Sequence, residues 1–178
     1  YTMPVAETAS TFCETTVNKA ALKDAANDDE RVFLLESSIQ DYTQVVVDIM
    51  SRFIFEKSVF EGRKKTVFDE NEFKEMMLKA QKETYGDGLD SEYLHPYMWV
   101  CKSHYYSGGL SYYNFPYTFV LLFAKGLYAK YLEDKEEFVP LYYKLLSATG
   151  KMMVEDVAQL AGIDVTKKEF WASSLELI

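Results

Sequence analysis

The spacing of apolar residues along the chain predicts helices almost throughout. After residue 27, apolar side chains recur three or four positions apart: Val32, Leu35, Ile39, Tyr42, Val46, Ile49 and Phe53. This spacing is typical of one face of an α-helix. No segment shows a persuasive alternation of apolar and polar residues, which is the pattern of a half-buried strand. We therefore predict an all-α fold, a bundle of about six helices.

Capping and breaking residues predict where these helices start and stop. The first predicted helix has Pro4 in its first turn and ends near Ala26. The second is capped by Asn27 or Asp28 and reaches roughly Arg63, and the third is capped by Asp69 and ends near Thr84. The other predicted helices run from about Tyr112 to Leu132, from Asp134 to near Gly150, and from Val154 to Ala161. Residues 85–89 are a predicted break, and Gly162 is a predicted helix-ending glycine. Thr166 and Glu169 form a predicted capping box before Phe170.

Composition and charge exclude several classes of protein. Of the 178 residues, 48% are hydrophobic and 16% aromatic, enough for one domain or a large piece of one. The net charge of -9 argues against a nucleic-acid partner. Neither a membrane-spanning apolar run of about 18 residues nor a signal peptide is recognisable. Because the chain does not begin with Met, we expect it to be part of a longer protein or a processed one.

The two cysteines, Cys13 and Cys101, are too few for a disulfide framework and lack the spacing of a metal site. We predict that both are buried, reduced thiols.

The sequence lacks four common catalytic or binding motifs. The chain has no HExxH sequence, no GxSxG, no GxxxxGK[ST] and no CxxC. One remaining constellation is Glu7 and Glu14 on the first predicted helix, where seven residues amount to about 700° of rotation, so both carboxylates share a face with Thr11. They are either a solvated acidic face or, because the flanking residues are small or apolar, carboxylates on a packed helix that need a partner such as a metal.

A second constellation is His104, which lies among several tyrosines and beside Gly108 and Gly109. One interpretation is a layer of aromatic core with hydroxyls at its rim. The other is a loop that points phenol and imidazole donors into a cleft, with glycines that supply positive φ and close approach of the backbone to a bound chain. A phenol stays protonated at neutral pH and can donate to a developing oxyanion.

Three ordered motifs resemble one family. Residues 5–14 (VAETASTFCE), residues 104–119 (from His104-Tyr105-Tyr106 to Tyr117-Thr118-Phe119) and residues 160–164 (LAGID) with the following Phe170-Trp171 are similar to oligoendopeptidase F, a zinc metallopeptidase family related to thimet oligopeptidase. Residues 30–35 (ERVFLL) are similar too. The resemblance covers nearly the whole chain.

The resemblance implies a zinc site and a metallopeptidase activity. In this family two histidines of an HExxH helix and a downstream glutamate hold zinc, which leaves a fourth position for water. That glutamate corresponds to Glu7, and Glu14 would orient a ligand histidine. The HExxH motif would lie before Tyr1, so we expect this chain alone to have no peptidase activity and no stoichiometric zinc.

The resemblance also assigns roles to the His/Tyr loop. Tyr117 would donate to the oxyanion, and His104 would help to bind substrate or steady the intermediate. Gly108, Gly109, Tyr112 and Tyr113 would bind the peptide. Relatives of the thimet type carry a tyrosine three residues before the Tyr117 position, where this chain has Asn114.

For the whole protein the resemblance implies a cytoplasmic oligopeptidase with a deep channel, which hydrolyses internal bonds of short oligopeptides. The alternatives are a helical interaction module without chemistry and an inactive homologue in which the zinc motif has decayed. We also expect an exposed apolar face, which would self-associate or pair with a missing N-terminal part of the same protein.

Overall fold

A computed structural model of the chain describes residues 2–109 and 112–178. Its helices are α1 (Thr8–Asp24), α2 (the α-helical segments Asp28–Thr43 and Ile49–Arg63 with the π-helical turn Gln44–Asp48 between them), α3 (Glu70–Tyr85), α4 (Pro116–Glu133), α5 (Lys135–Ala148), α6 (Val154–Leu160) and α7 (Lys168–Leu175). Short 3-10 turns span Met3–Val5, Ser91–Tyr93, Met98–Cys101 and Ser103–Tyr105. No strand occurs in the described ranges. The predicted all-α class is confirmed, with seven helices rather than about six.

Helix ends follow the predicted caps where a side chain can reach the backbone. Asn27 Oδ1 accepts the N–H of Glu30 at 2.9 Å. Asp69 and Glu72 form a capping box at the start of α3. Asp134 accepts two N–H groups at the start of α5. Because each such bond satisfies an otherwise unpaired donor in the first turn, these starts are encoded locally.

Three predicted helix starts are wrong. The first predicted helix has Pro4 in its first turn, but α1 begins at Thr8, and Pro4 lies in the separate 3-10 turn Met3–Val5. The helix predicted from about Tyr112 begins at Pro116, because Tyr112 has a φ of 57°, in the left-handed region, and proline disfavours a helical residue before it. The predicted capping box at Thr166 is absent: the Thr166 hydroxyl donates to Asp164 at 2.6 Å, and Lys167 precedes α7 without a side-chain cap.

The chain forms two compact units, which are residues 1–40 with 119–178 (unit 1) and residues 41–118 (unit 2). The unit 1 core is apolar and draws on four helices and the segment after α6. Its buried residues are Phe12, Phe123, Ala124, Leu127, Phe138, Leu145, Ala148, Val157, Ala158, Ala161 and Ile163. One charged side chain of unit 1, Lys125, is also fully buried, and burial lowers its pKa to about 8.

The contact between α4 and α7, within unit 1, depends on a glycine. A Cβ added at Gly126 would lie 2.3 Å from Cε2 of Phe170. Real carbon atoms do not approach so closely, so Phe170 occupies the space that a side chain at residue 126 would need.

The unit 2 core is smaller and is surrounded by aromatic rings. Its buried cluster is Phe55, Val59, Met77, Ala80 and Tyr105, with partly buried neighbours that include Phe73 and Trp99. Several polar side chains are buried in the same unit, namely Ser51, Arg52, Glu56, Gln81 and Asn114. Unit 2 therefore combines a small apolar core with five buried polar side chains among its described residues, whereas unit 1 has four, Thr8, Thr15, Lys125 and Ser174, beside its larger apolar core.

The apolar face predicted for α2 is buried over only part of its length. Ile49 is buried and Val46 is half-buried, but Val32, Leu35 and Ile39 are exposed. No residue of the segment Asp28–Thr43 is buried. The prediction of buried cysteines is also wrong, because both Cys13 and Cys101 are exposed thiols.

Candidate active site

The two α1 carboxylates lie on the exposed side of their helix. Glu7 is the N-cap residue of α1, and its Oε2 accepts the Ser10 hydroxyl at 3.0 Å. Glu14 is exposed as well. The buried residues of α1 are instead Thr8, Phe12 and Thr15.

The expectation that α1 is packed on several sides is wrong. Val17, which is one of the apolar residues that flank the two carboxylates, is 65% exposed. Among the described residues, only Ser10 bonds to the Glu7 side chain. For this chain taken by itself, Glu7 therefore matches the first interpretation, a solvated acidic face. It is also accessible as a metal ligand.

The structure brings His104 and Tyr117 together in unit 2. The Tyr117 hydroxyl lies 3.3 Å from His104 Nε2, and the two rings are perpendicular, at an interplanar angle of 86°. His104 belongs to the 3-10 turn Ser103–Tyr105, and Tyr117 is in the first turn of α4. Two residues that are 13 positions apart in sequence therefore form one phenol–imidazole pair.

The aromatic residues around this pair pack on one another. Tyr113 is buried, and its ring centroid is 5.5 Å from that of Tyr117. Tyr112 is half-buried, with its ring centroid 4.8 Å from that of Phe60 and 5.6 Å from that of Tyr105. The aromatic-core interpretation thus describes Tyr112 and Tyr113, while the pairing of His104 with Tyr117 fits the donor-loop interpretation.

The loop glycines differ from the expectation. Gly108 and Gly109 are exposed, with open space around each, and neither has a positive φ. Among the described residues of the loop, the left-handed one is Tyr112, whose N–H donates to the His104 carbonyl at 2.6 Å. This backbone bond closes the loop, and it places the strained conformation at a tyrosine rather than at a glycine.

The surroundings of His104 favour a neutral imidazole. Burial lowers the pKa of His104, and the positive charges of Arg52 and Lys102 lower it further. Its Nδ1 is buried and has no hydrogen-bond partner among the described residues. A neutral ring in the Nε2–H tautomer would donate to the Tyr117 oxygen.

A polar network of α2, α3 and the loop is not evident from the sequence. Asp48 pairs with Arg52 one turn along α2, and it accepts the Tyr85 hydroxyl at 2.7 Å. Glu56, one turn further, accepts the side-chain amide of Asn114. The available signal is the spacing of three charged residues, four apart, beside an apolar stripe. The same spacing is typical of the solvent-facing side of a helix, so it does not by itself indicate burial.

No complete metal site exists within the described residues. No three of their His, Cys, Asp and Glu side chains lie close enough to hold an ion. His95 is exposed, and its Nδ1 accepts the N–H of Tyr97 at 3.1 Å. The side chains of this chain therefore do not fit a zinc ion on their own, and Glu7 supplies at most one ligand of a set that needs others.

Comparisons with known proteins identify the family. Searches of curated proteins and of solved structures returned no match. Among the described helices, none has the length and apolar character needed to cross a bilayer. A family model described as peptidase family M3 matches residues 1–177, nearly the entire sequence. The chain therefore belongs to peptidase family M3.

Proposed function

We propose that this chain is part of a zinc metalloendopeptidase of the oligoendopeptidase F type, which hydrolyses internal bonds of short oligopeptides in the cytoplasm. Membership of peptidase family M3 supports the peptidase activity. The sequence motifs support the narrower assignment. The observation that carries the proposal is the contact between the Tyr117 hydroxyl and His104, because it supplies a protonated phenol next to a neutral imidazole.

In this proposal Tyr117 donates a hydrogen bond to the carbonyl oxygen of the scissile peptide bond. That oxygen gains negative charge in the transition state, so the bond strengthens as the reaction proceeds. His104 holds the phenol in place and stays neutral at physiological pH. Substrate contacts are proposed for Gly108, Gly109, Tyr112 and Tyr113; the exposure of the two glycines leaves their backbone open to an extended peptide.

Glu7 is proposed as the third zinc ligand and Glu14 as the residue that orients a ligand histidine. The exposed Glu7 carboxylate supports this role, since no buried ion pair would have to break for it to bind a metal. When bound, zinc would polarise the carbonyl and activate water. The two histidine ligands are proposed to lie in an HExxH helix outside this sequence.

The decisive experiment is the kinetics of Tyr117→Phe in the full natural protein that contains this sequence. The loss of one oxyanion donor lowers kcat by roughly 100- to 1000-fold. We expect KM to change little, because the lost bond forms in the transition state. Tyr143→Phe is the matched control, since Tyr143 is 68% exposed and should leave kcat unchanged. Equal kcat in the two variants would contradict the proposed role of Tyr117.

The chain by itself is expected to lack both activity and bound metal. Zinc content by mass spectrometry and hydrolysis of quenched peptides, both measured on the 178-residue chain, test this expectation. Robust turnover would show that the ligand set is complete without an HExxH helix, and the proposal would then be wrong.

The exposed residues of α2 favour a second candidate function, a helical interaction module. Val32, Phe33 and Ile39 lie in a segment with no buried residue, and Phe33 is 66% exposed. We propose that this apolar surface is covered by another part of the same protein or by a second copy. Light scattering after size exclusion should show self-association or a co-purifying N-terminal piece. A monomer at high concentration would contradict this, and an HExxH sequence upstream of Tyr1 would favour the peptidase.

A further inference from the structure

The segment before Tyr117 is held by a buried carboxylate. Asn114 is only 2% exposed, and its side-chain amide donates to Oε1 of Glu56, which is 3% exposed. The backbone of Asn114 is also a hydrogen-bond partner of the Glu56 carboxyl. Asn114 lies two residues before Pro116, the first residue of α4, and three before Tyr117. The Glu56 side chain, on α2, therefore fixes the loop just before the start of α4, the helix that carries the Tyr117 phenol.

Two further bonds attach the same region to α2. The Tyr105 hydroxyl lies 3.4 Å from the Arg52 carbonyl, and the Thr118 hydroxyl donates to the Val45 carbonyl at 3.2 Å. Tyr105 follows His104 in sequence, and Thr118 follows Tyr117. Both members of the phenol–imidazole pair thus have a neighbour tied to one helix, and of these bonds only the Glu56 bond is made by a charged side chain.

A buried carboxylate is costly unless it has a specific partner. Burial raises the pKa of Glu56, while the hydrogen bonds from Asn114 and the charge of Arg52 lower it. An apolar pair of the same volume would stabilise the core at least as well, so stability does not explain why these two polar groups are buried here. The direction of the hydrogen bond explains it, because this bond fixes the position of the Asn114 backbone, which apolar packing would leave adjustable.

We propose that Glu56 and Asn114 are positioning residues that set the distance between the Tyr117 hydroxyl and His104. The Glu56 carboxylate holds the Asn114 amide, which fixes the start of α4 and so the location of the phenol in its first turn. The part of this inference that concerns catalysis rests on the function proposed above. The part that concerns geometry does not, and the two are tested separately.

The geometric part is tested by NMR on the 178-residue chain, which has only two histidines. Titration of the Cε1–H signal of His104 gives the midpoint of that imidazole. In Asn114→Ala we expect the His104 midpoint to rise toward the ordinary value of about 6.5, because water reaches the imidazole when the loop is released. Arg52 and Lys102, the charges that act on His104, are unchanged in this variant. An unchanged His104 midpoint would overturn the proposal.

Gln81→Ala is the matched control. Gln81 is a buried amide that holds the other end of the same region, since its side chain donates to the His95 carbonyl and accepts the His95 N–H, both at 2.9 Å. Its loss should leave the His104 midpoint where it is. A rise of equal size in both variants would mean general loosening of the loop, which contradicts a specific role for Asn114.

Exchanging the carboxylate of residue 56 and the amide of residue 114 distinguishes the loss of their hydrogen bond from poor folding. Asn114→Asp alone places two carboxylates together and should disturb the His104 midpoint at least as much as Asn114→Ala. Adding Glu56→Gln restores one donor and one acceptor with their positions reversed. In this double variant we expect the His104 midpoint to return to its value in the unaltered chain. A double variant that behaves like the Asn114→Asp single variant would overturn the pairing.

The catalytic part is tested in the whole peptidase. Asn114→Ala should lower kcat by about 10- to 100-fold with little change in KM, as expected when a catalytic group is displaced by about 1 Å. If Tyr117→Phe leaves kcat unchanged, the proposed function fails while the NMR result stands. If Tyr117→Phe lowers kcat but Asn114→Ala changes neither kcat nor the His104 midpoint, the positioning role fails alone.

Discussion

The two units of the chain are built on different kinds of core. In unit 1 the buried cluster is apolar and takes residues from α1, α4, α5 and α6. In unit 2 the apolar cluster is smaller, and Arg52, Glu56, Gln81 and Asn114 are buried in the same unit. The comparison shows that the unit with the weaker apolar core is the one that carries the His104–Tyr117 pair.

This difference has a physical meaning. Apolar packing stabilises a fold but tolerates small shifts, whereas hydrogen bonds between buried polar groups define positions. The groups that hold the loop of unit 2 are of the second kind. We conclude that directional hydrogen bonds hold the loop of unit 2, whereas the core of unit 1 depends mainly on apolar packing.

The chain offers a separate probe for each unit. Its two tryptophans are Trp99 in unit 2 and Trp171 in unit 1. In a Trp99→Phe background, fluorescence follows unit 1, and in a Trp171→Phe background it follows unit 2. Urea titrations in these two backgrounds therefore follow the surroundings of one tryptophan in unit 1 and of one in unit 2.

The largest effect is expected in the unit 1 core. Phe123 is fully buried, and its ring centroid is 5.7 Å from that of Phe119. Phe123→Ala should lower the free energy of unfolding of unit 1 by about 3–5 kcal/mol, through lost apolar contact and the remaining cavity. A loss below about 1 kcal/mol would show that this core is loosely packed, and the contrast between the units would disappear.

The next effect is expected in the polar network of unit 2. Arg52→Met leaves the partly buried Asp48 carboxylate without its cationic partner and should lower the free energy of unfolding of unit 2 by roughly 3 kcal/mol. Lys74→Met is the matched control, because it removes an ion pair whose carboxylate, that of Glu70, is exposed. We expect no measurable loss in the control. Similar losses in both variants would show that burial is not what makes the Arg52 pair important.

A gain in stability is expected at the buried Lys125 of unit 1. The Lys125 pKa is about 8 in the folded chain and about 10.4 when unfolded, so the charged form is disfavoured by folding. Lys125→Met should therefore stabilise unit 1 at about pH 7, by up to about 3 kcal/mol.

The pH dependence gives the sign of this effect independently. As pH rises above about 8, the folded chain loses the proton before the unfolded chain does, so the unaltered chain gains stability and the advantage of Lys125→Met shrinks up to about pH 10.4. Lys23→Met, at an exposed lysine, is the matched control. An advantage that is constant with pH would contradict the explanation by buried charge.

The smallest effect on stability is expected at Glu7. Its exposed carboxylate accepts a hydrogen bond from Ser10, so Glu7→Gln should change the free energy of unfolding by less than about 0.5 kcal/mol. In the full natural protein the same variant should lose zinc and activity. Full zinc occupancy in Glu7→Gln would contradict the ligand role and leave the stability comparison intact.

Much of the fold could be predicted from local signals. Asp69 and Asp134 cap α3 and α5 as expected, and Gly162 has the predicted left-handed conformation, with a φ of 67°. These features depend on neighbouring residues only. The start of α4 was misplaced, because the aromatic run around Tyr112 carries no local sign of its left-handed backbone.

The candidate site was predicted in part. His104 and the tyrosines near it stand out in the sequence itself, and the resemblance assigns roles to His104 and Tyr117; their contact is not predictable from spacing. Glu56 was missed because charged residues on a helix usually face solvent, and only a partner distant in sequence, Asn114, explains its burial. Periodicity likewise cannot tell which part of the α2 stripe is covered, so the exposure of Val32 came only from the structure.

The close fit of Phe170 against Gly126 has a consequence for recognising similar chains. An enlarged residue at position 126 would need either a smaller residue at position 170 or a displaced Phe170 ring, since the two side chains compete for the same volume. Substitutions at these two sites should therefore be coupled across homologous sequences. A chain that broke this coupling would have to turn the ring at position 170 or place its final helix farther from α4.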